Sequence, residues 1–221
     1  MSDHKALLEV GIEELPSSEV QGIKTQLKER IERSLDNNRL GYGELEVFVA
    51  SRRFGVLIHG IELKQSDFVE KKKGPSEKIA YKEGEPTRAL LGFLRGSNAQ
   101  IEDVSVEDGY VYVQREIIGK MAEELLPQVF SESLSSLDFK KPMRWGDGTY
   151  RFVRPVKWIT AMLDSEILDM ELFGKRSSNK SRGHRFFFDE VEVSPENYFQ
   201  NMRDALVIAR EIGRASCRER V

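Results

Sequence analysis

The stretch LLEVGIEELPSSEVQGIKTQLKERIERSL, Leu7 to Leu35, decides the fold. It opens on a short apolar run, Leu7 to Val10. Its second part has apolar residues three or four positions apart: Val20, Ile23, Leu27, Ile31 and Leu35. That spacing places them on one face of a helix, and Ser17 or Ser18 can cap its first turn. The stretch therefore predicts an amphipathic helix after the apolar run, with Asn37, Asn38 and Gly41 as stop signals.

Outward from this stretch, strands and helices follow in a mixed order. Strands are expected at 46–50, 54–61, 110–113, 156–163, 167–173 and 184–188. Helices are expected at 87–95 and 122–137, and from Ser194-Pro195 onward. Because this order lacks strict βαβ alternation, the sequence favours an α+β fold with mixed helices and largely antiparallel sheets.

A polar segment at 64–85, with KKKGP at 71–75, predicts a loop and a domain edge. We expect an N-terminal α+β subdomain at 1–68 and an α+β domain at 69–212. The last nine residues, 213–221 (GRASCRERV), are basic and break the helical pattern before them, so we expect a vector-derived tail. We also expect the natural protein to continue beyond it.

Composition excludes several classes of protein. With 39% hydrophobic and 32% charged residues, the chain is expected to fold. It has no run of about 18 apolar residues and no signal peptide at its start, so we expect no membrane span and a cytoplasmic location. The single cysteine, Cys217, excludes an intrachain disulfide. His4 and His59 lack metal-ligating neighbours, and no GxxxxGK[ST] loop occurs, so no metal or nucleotide site is expected here.

The block 140–186 is the strongest functional signal from the residues themselves. Residues 140–185 include eleven Lys or Arg residues and five Asp or Glu residues, although the whole chain carries a net charge of −3. A basic region attracts a polyanion even in an acidic protein. Aromatic residues lie among these cations: Trp145, Tyr150, Phe152, Trp158, Phe173 and Phe186. Arginines beside aromatic rings can contact phosphates and stack on unpaired bases, although Trp158, Phe173 and Phe186 lie in expected strands, where a core position is favoured.

Candidate RNA-binding residues come from this block. The predicted set is Arg144, Arg151, Arg154, Arg182, His184 and Arg185. The first three flank glycines and a proline, in a stretch too broken for a regular helix face, and can contact RNA or a partner. His184 can donate to a phosphate or serve the structure alone. Glu13 and Glu14 can share acid–base work, but we favour a role at the positive end of the following helix. No catalytic residue is assigned.

Five separated stretches resemble the glycyl-tRNA synthetase beta subunit family, in the family's order. They are LLEVGIEELP (Leu7–Pro16), SRRFGVLIHGI (Ser51–Ile61), Gly74-Pro75 followed by ALLGFLRG (Ala89–Gly96), KPMRWGDGTYRFVRPVKWI (Lys141–Ile159) and SRGHRF (Ser181–Phe186). The departures are Ile12, where the family commonly has Thr, and Ser51, where it has the Pro of Pro-Arg-Arg. Neither departure touches the basic block.

The resemblance implies a tetramer of two alpha and two beta subunits that joins glycine to tRNA(Gly) with ATP. The alpha subunit is expected to hold the class II catalytic core with ATP and Mg²⁺, so no cofactor is expected on this chain. The beta subunit is expected to supply most of the tRNA binding. The resemblance implies that family members continue into an HD-like domain and an anticodon-binding domain, and we expect both to lie outside the present sequence. Part of the region also resembles a domain of the phenylalanyl-tRNA synthetase beta subunit that is used for editing.

Three functions stay open at this point. The leading one is a synthetase subunit that positions tRNA and assembles with the catalytic alpha subunit. The second is a pure assembly module whose basic block packs on alpha and never meets RNA. The third is an editing-type aminoacyl-tRNA hydrolase, for which the sequence offers no activated Cys, Ser–His pair or metal cluster, although backbone groups and water can suffice.

We expect the chain alone not to catalyse glycine-dependent exchange of pyrophosphate into ATP. The physical reason is the missing phosphate-binding loop, and the resemblance assigns this step to another subunit. Labelled pyrophosphate measures the exchange, and incorporation clearly above a no-protein control contradicts the expectation.

Overall fold

The structure, a computed structural model, describes residues 3–82, 85–97, 99–146 and 148–210. The chain forms two compact units. The first, here the sheet unit, joins the residues up to Gln65 with those from Lys120 onward. The second, here the inserted unit, is Ser66–Gly119. None of the helices in the described part of the chain is long and apolar enough to cross a bilayer.

Short strands outnumber helices. The strands are β1 (Lys5–Ile12), β2 (Leu45–Ala50), β3 (Arg53–His59), β4 (Phe68–Ser76), β5 (Tyr81–Lys82), β6 (Glu85–Pro86), β7 (Val104–Glu107), β8 (Tyr110–Ile117), β9 (Met143–Trp145), β10 (Tyr150–Phe152), β11 (Val156–Leu163), β12 (Glu166–Ile167), β13 (Glu171–Leu172), β14 (Lys175–Ser178), β15 (Lys180–Ser181) and β16 (Val191–Glu192). The helices are α1 (Ser17–Asn37), α2 (Glu77–Ala80), α3 (Arg88–Ser97), α4 (Ala122–Ser135) and α5 (Tyr198–Asp204), with a 3₁₀ turn at Ile101–Asp103.

The central sheet of the sheet unit has the order β13-β14-β11-β1-β3-β2, with β12 added beside β11. β1 pairs antiparallel with both β11 and β3, so that Leu8 lies opposite Ala161 on one side and Val56 on the other. Among the described strands of this sheet, β11 and β14 pair parallel and the other pairs are antiparallel. The mixed composition and mostly antiparallel pairing confirm the predicted α+β class.

Both faces of β1 are covered, which explains why it reads as a continuous apolar run. Alternate residues of a strand point to opposite faces, and those on one face, Leu8 and Val10 among them, join a core with the apolar stripe of α1 and with α4. On the other face Leu7 packs with Phe48 and with Tyr198 of α5. Glu9 shares the Leu7 face and therefore lies under the α5 side of the sheet.

The helix α1 follows the predicted periodicity, with Ile23, Leu27, Ile31 and Leu35 buried. Its predicted serine cap is wrong, because the helix begins at Ser17 after Pro16, and no side chain caps it. The Pro16 carbonyl accepts the Glu19 amide at 2.9 Å, while Ser51 O accepts the Leu15 amide at 2.6 Å. The tertiary position of the entering chain therefore replaces a side-chain cap.

In the inserted unit, β4, β8 and β7 form an antiparallel sheet. The helix α3 packs on its buried Val111 and Val113. The predicted loop at 64–85 is wrong, since β4, α2 and β5 lie there. The lysine-rich run pairs antiparallel with β8, and there Lys71 Nζ lies 4.7 Å from the Tyr112 ring centroid and Lys73 Nζ lies 3.5 Å from that of Tyr110. These contacts support the cations on the sheet surface.

The expected division into 1–68 and 69–212 does not coincide with these two units. The central β1 takes its neighbours from β3, before residue 68, and from β11, far beyond it. One hydrophobic core therefore spans the expected boundary. The final helix α5 begins at Tyr198, not at Ser194-Pro195, and ends at Asp204. The expected tail at 213–221 lies outside the described residues.

Replacement of Gly55 by alanine is expected to lower the free energy of unfolding by at least about 1–3 kcal/mol, the range for overpacking a core. Gly55 lies opposite Glu9 in the sheet, and a Cβ there meets the Leu8 carbonyl oxygen and comes within 3.0 Å of Glu9 Cα. Both are backbone atoms of the central strand, which has no room to move aside. Urea denaturation measures the change.

Gly22→Ala is the matched control, because it adds the same methyl group inside α1 with only the end of the Gln26 side chain nearby, at 3.8 Å. It is expected to stabilise the protein by roughly 0.5–1 kcal/mol, the cost of glycine in a helix interior. Equal effects of the two substitutions would show that the approach of β3 to β1 is not as close as described.

Candidate nucleic-acid interface

A cleft of about 600 Å³ opens on the α5 side of the sheet unit. Five cationic and three acidic side chains line it, together with an apolar wall; they are Arg52, Arg53, Lys157, Arg182 and Arg185, then Glu13, Glu14 and Asp189, then Phe188, Leu206, Val207 and Ile208. His184, Trp158 and neighbouring residues of the same segments complete the lining. The lining of the cleft is therefore largely polar, with more cationic than acidic side chains and one apolar wall.

A buried ion pair forms the base of this cleft. Glu9 in the middle of β1 is fully buried, and its Oε1 accepts hydrogen bonds from Arg53 Nη1 at 2.9 Å and Ser181 Oγ at 2.8 Å. The Trp158 indole Nε1 donates to the same oxygen at 3.3 Å. Arg53 also donates through Nη2 to the carbonyl of Arg182. One pair of charges thus joins β1 and β3 to the segment that carries Arg182.

Burial governs the ionisation of this cluster. Loss of water raises the pKa of Glu9, while the Arg53 charge and the hydrogen bonds from Ser181 and Trp158 lower it only in part. Burial also raises the pKa of Tyr198 well above its usual value, and the neighbouring carboxyl of Glu9 adds to that rise. The Tyr198 hydroxyl therefore stays protonated. Glu9 is not a free acid or base, because its carboxylate is engaged with Arg53 beneath the cleft.

Trp158 holds Arg182 at the rim of the cleft. The guanidinium carbons of Arg53 and Arg182 lie 5.4 Å and 5.5 Å from the Trp158 ring centroid, within the range of cation–π attraction. The ring lies against β1 at Gly11, its partner in the sheet, where any Cβ would overlap the indole. A glycine in the central strand thus makes space for the ring that orients an exposed arginine.

The segment after Arg182 is a turn, and the strand predicted at 184–188 is wrong. The amides of Phe187 and Phe188 both donate to the His184 carbonyl at 2.9 Å, and the His184 amide donates to Ala205 O at 2.9 Å. The segment bends because these amides bond within it and to the end of α5, not to a neighbouring strand. Gly183 permits the bend, since a Cβ there would come within 2.5 Å of Phe188 Cβ.

This turn also changes the interpretation of the aromatic residues in the basic block. Phe173 is half-buried and packs against the main core, as expected. Trp158 is half-buried above the Glu9–Arg53 pair. Phe186 is 75% exposed, so its expected core position is wrong. Its place in a turn, with no sheet partner, leaves the side chain in solvent.

Four of the six predicted RNA-binding residues converge. Arg182, His184 and Arg185 line the cleft, and Arg185 also lines a neighbouring depression with Arg154. The Arg154 side chain is largely occupied, because its Nε donates to Glu14 O at 3.2 Å and its Nη1 contacts Met143 Sδ and Val153 O, each at 3.1 Å. The main role of Arg154 is therefore to connect the hairpin β9–β10 to the edge of the cleft. Its guanidinium group is less available to an anionic ligand than an arginine without such contacts.

The other two, Arg144 and Arg151, face each other directly across β9 and β10. Both are exposed, whereas the adjacent pair of Trp145 and Tyr150 points to the other face, with ring centroids 5.8 Å apart. In the part of the chain that the structure describes, neither arginine has a carboxylate within 4 Å. Like charges placed opposite each other in a sheet destabilise it, so an anion bound here would relieve that repulsion.

Sequence reasoning missed the cleft cations Arg52, Arg53 and Lys157. Lys157 Nζ lies 2.7 Å from Glu13 Oε1 and Arg52 Nη2 lies 3.5 Å from Glu13 Oε2, so Lys157, and then Arg52, lower the pKa of Glu13. Glu13 thus has ion-pairing partners that we did not foresee. The missed signal for the buried pair was a charged residue in or next to each of two apolar runs: Glu9 lies inside LLEVGI, and Arg53 comes directly before FGVLI.

Comparison with known proteins adds a family. Residues 6–218 match the family model described as glycyl-tRNA synthetase beta subunit. A glycine–tRNA ligase beta subunit of Thermotoga neapolitana is 51% identical over 206 residues, which is 92% of this chain and 31% of that protein. Those of Thermotoga maritima and Desulfitobacterium hafniense strain Y51 are 47% and 40% identical, over 95% and 91% of this chain.

The chain spans about 31% of the length of these relatives. The family match runs to residue 218 and so enters the segment 213–221, whose vector origin stays a prediction.

Glu9→Leu alone is expected to lower the free energy of unfolding by about 3–5 kcal/mol, since it leaves the Arg53 charge buried without its carboxylate. The double variant Glu9→Leu/Arg53→Met removes both charges and is expected to cost much less. A double-mutant cycle from urea denaturation measures the coupling. The exposed pair Lys180–Glu190, 2.6 Å apart, is the control, and its removal is expected to change stability little. Equal losses in the Glu9 single variant and the double variant would contradict a buried, coupled pair.

Proposed function

This chain belongs to the glycyl-tRNA synthetase beta subunit family, and from that membership we propose that it acts in the cytoplasm as part of the beta subunit of glycine–tRNA ligase. In this proposal tRNA(Gly) binds to the arginine face, defined here as the exposed side chains of Arg144, Arg151, Arg182 and Arg185. The matched region covers residues 6–218, and the relatives named above carry the ligase beta-subunit name. Because the chain spans under a third of their length, the activity of the assembled enzyme and its partners belong to this proposal.

One observation carries the RNA role: a set of exposed arginines to which the described residues offer no carboxylate within 4 Å. Arg144 and Arg151 lie side by side on the hairpin, and Arg182 and Arg185 lie on a turn that hydrogen bonds hold in place. The electrostatic repulsion between these like charges decreases when phosphates lie between them. The guanidinium group of arginine suits phosphate oxygens, because its paired N–H groups can donate two parallel hydrogen bonds. A charged face of this kind tracks a nucleic-acid backbone and makes affinity salt-dependent.

In this proposal the work is divided between two kinds of subunit. The alpha subunit carries ATP and Mg²⁺ and makes glycyl-adenylate, and two alpha and two beta subunits form the enzyme. The present chain contributes position, since it holds tRNA so that its acceptor end meets the adenylate. Correct placement of two reactants accounts for a large share of the rate of a bimolecular transfer, which gives a subunit without its own catalytic residue a strong effect on aminoacylation.

The alternatives predict different behaviour. A pure assembly module would use the same arginines to pack on alpha, and their loss would then separate the subunits. The likeness to an editing domain of phenylalanyl-tRNA synthetase, and the hydrolase that it suggests, stay predictions. Deacylation of a mischarged tRNA by the chain would test the hydrolase.

Replacement of Arg144 and Arg151 together by alanine in the assembled enzyme is expected to lower aminoacylation by about tenfold to 100-fold, because lost positioning slows transfer. Glycine-dependent pyrophosphate exchange is expected to stay within about twofold, since it needs no tRNA positioning. The slope of log affinity for tRNA against log salt is expected to fall by about two units, roughly one for each lost phosphate contact. Aminoacylation, pyrophosphate exchange, tRNA affinity at several salt concentrations and co-elution with alpha are all measured on one preparation.

Lys28→Ala/Arg33→Ala on α1 makes the same change of net charge at exposed positions and serves as the control, for which aminoacylation is expected to stay intact. If the Arg144/Arg151 variant loses co-elution with alpha and both reactions together, the assembly module is correct. Intact assembly with undiminished charging and an unchanged salt slope would reject both roles for these arginines.

A further inference from the structure

Three consecutive phenylalanines stand in solvent beside the cleft. Phe186 is 75% exposed, Phe187 is 70% exposed and Phe188 is 39% exposed. Leu206 and Ile208 on the apolar wall of the cleft are also exposed. Single exposed apolar residues are common on proteins, whereas a contiguous group of large ones marks a binding surface. The packing of the sheet unit does not account for the exposure of the first two rings.

The turn holds these rings in a fixed arrangement. The ring centroids of Phe186 and Phe187 lie 5.8 Å and 5.1 Å from that of His184. The His184 carbonyl accepts two amides of the turn, while its own amide is bound to Ala205. Two residues before His184, the backbone carbonyl of Arg182 accepts a hydrogen bond from the buried Arg53 side chain. The aromatic surface is thus built before any ligand arrives, which reduces the entropy lost on binding.

The charges beside the rings indicate the chemistry of the ligand. The Arg185 guanidinium lies 4.7 Å from the Phe186 ring centroid, and Arg182 lies on Trp158 at the same rim. Within the described ranges neither arginine has a carboxylate within 4 Å, whereas the nearby Glu190 is already engaged by Lys180 at 2.6 Å. Flat apolar surfaces beside unpaired cations fit a ligand that is flat, aromatic and anionic, and an unpaired nucleotide is such a ligand.

We infer that Phe186 and Phe187 form a stacking platform for unpaired bases of RNA, with the adjacent phosphates on Arg182 and Arg185. This inference rests on the proposed function, because it names the part of the RNA that this rim of the face receives. Stacking on phenylalanine tolerates every base, since each has a π-face, so the platform reads the absence of pairing and not a sequence.

The test uses this chain and three fluorescent RNA hairpins with one common stem. The first is blunt, the second carries an unpaired 3′ extension of about four nucleotides, a length within the site sizes of such platforms, and the third carries the same extension without bases. The abasic extension keeps every phosphate, so it separates stacking from charge. The unmodified chain is expected to bind the extended hairpin about tenfold more tightly than the abasic one, a ratio typical of one stacked base.

Phe186→Ala/Phe187→Ala is expected to reduce that ratio to about one while affinity for the blunt hairpin stays unchanged, because phosphate contacts remain. Phe186→Tyr/Phe187→Tyr keeps the aromatic faces and is expected to keep the ratio. Ile118→Ala removes another exposed apolar side chain, 73% exposed in the inserted unit, and is the matched control. Melting temperatures of all three variants are expected to match that of the unmodified chain, since the replaced side chains are exposed.

Two results would overturn the platform. If the unmodified chain binds extended and abasic hairpins equally, while blunt binding stays salt-dependent, the platform is rejected and the proposed RNA role stands. If no hairpin binds and Phe186→Ala/Phe187→Ala instead prevents co-elution with the alpha subunit, the patch docks protein, and both the platform and the RNA role are rejected.

Discussion

The ion pair of Glu9 and Arg53 beneath the central strand is the constraint on which the cleft depends. Two charges removed from water need a close pairing and further hydrogen bonds to offset the free-energy cost of their burial. Here Ser181 and Trp158 donate to Glu9 Oε1 and the Arg182 carbonyl accepts from Arg53, whereas Glu9 Oε2 is buried with no hydrogen-bond partner among the described residues. Each of these partners comes from a segment distant in sequence, so these hydrogen bonds form only when β1, β3, β11, β15 and the residue after β15 are in place.

The two faces of the central strand β1 have different roles. One set of alternate residues of β1 builds the main core with α1 and α4. The other set, Leu7, Glu9 and Gly11, supports the functional face: Leu7 packs with α5, Glu9 holds Arg53, and Gly11 accommodates Trp158. A shift of one residue in register would exchange these sets. The apolar core thus fixes which side of the sheet carries the cleft.

Some cations of the basic block have oxygen partners among the described residues, and four exposed arginines have no carboxylate there. Lys157 and Lys180 hold carboxylates, and Arg154 holds backbone oxygens. Arg144, Arg151, Arg182 and Arg185 are exposed, and the described residues offer them no carboxylate within 4 Å. The second group, not the total charge of the block, defines the surface that an anionic ligand would contact, because a neutralised cation adds little to phosphate binding.

The sequence by itself determined the α+β class, the α1 stripe, the presence of strands β2 and β3 and the family resemblance. These follow from local periodicity and from continuous motifs, which need no knowledge of distant contacts. It also placed Arg182, His184 and Arg185 in one candidate site, since they are neighbours in the chain. Only the tertiary structure decided that the unit Ser66–Gly119 interrupts the sheet unit, because strand pairing between β1 and β11 is a long-range choice. It likewise decided that Phe186 is exposed and that Arg53 is buried against Glu9, since burial is set by what distant segments place around a residue.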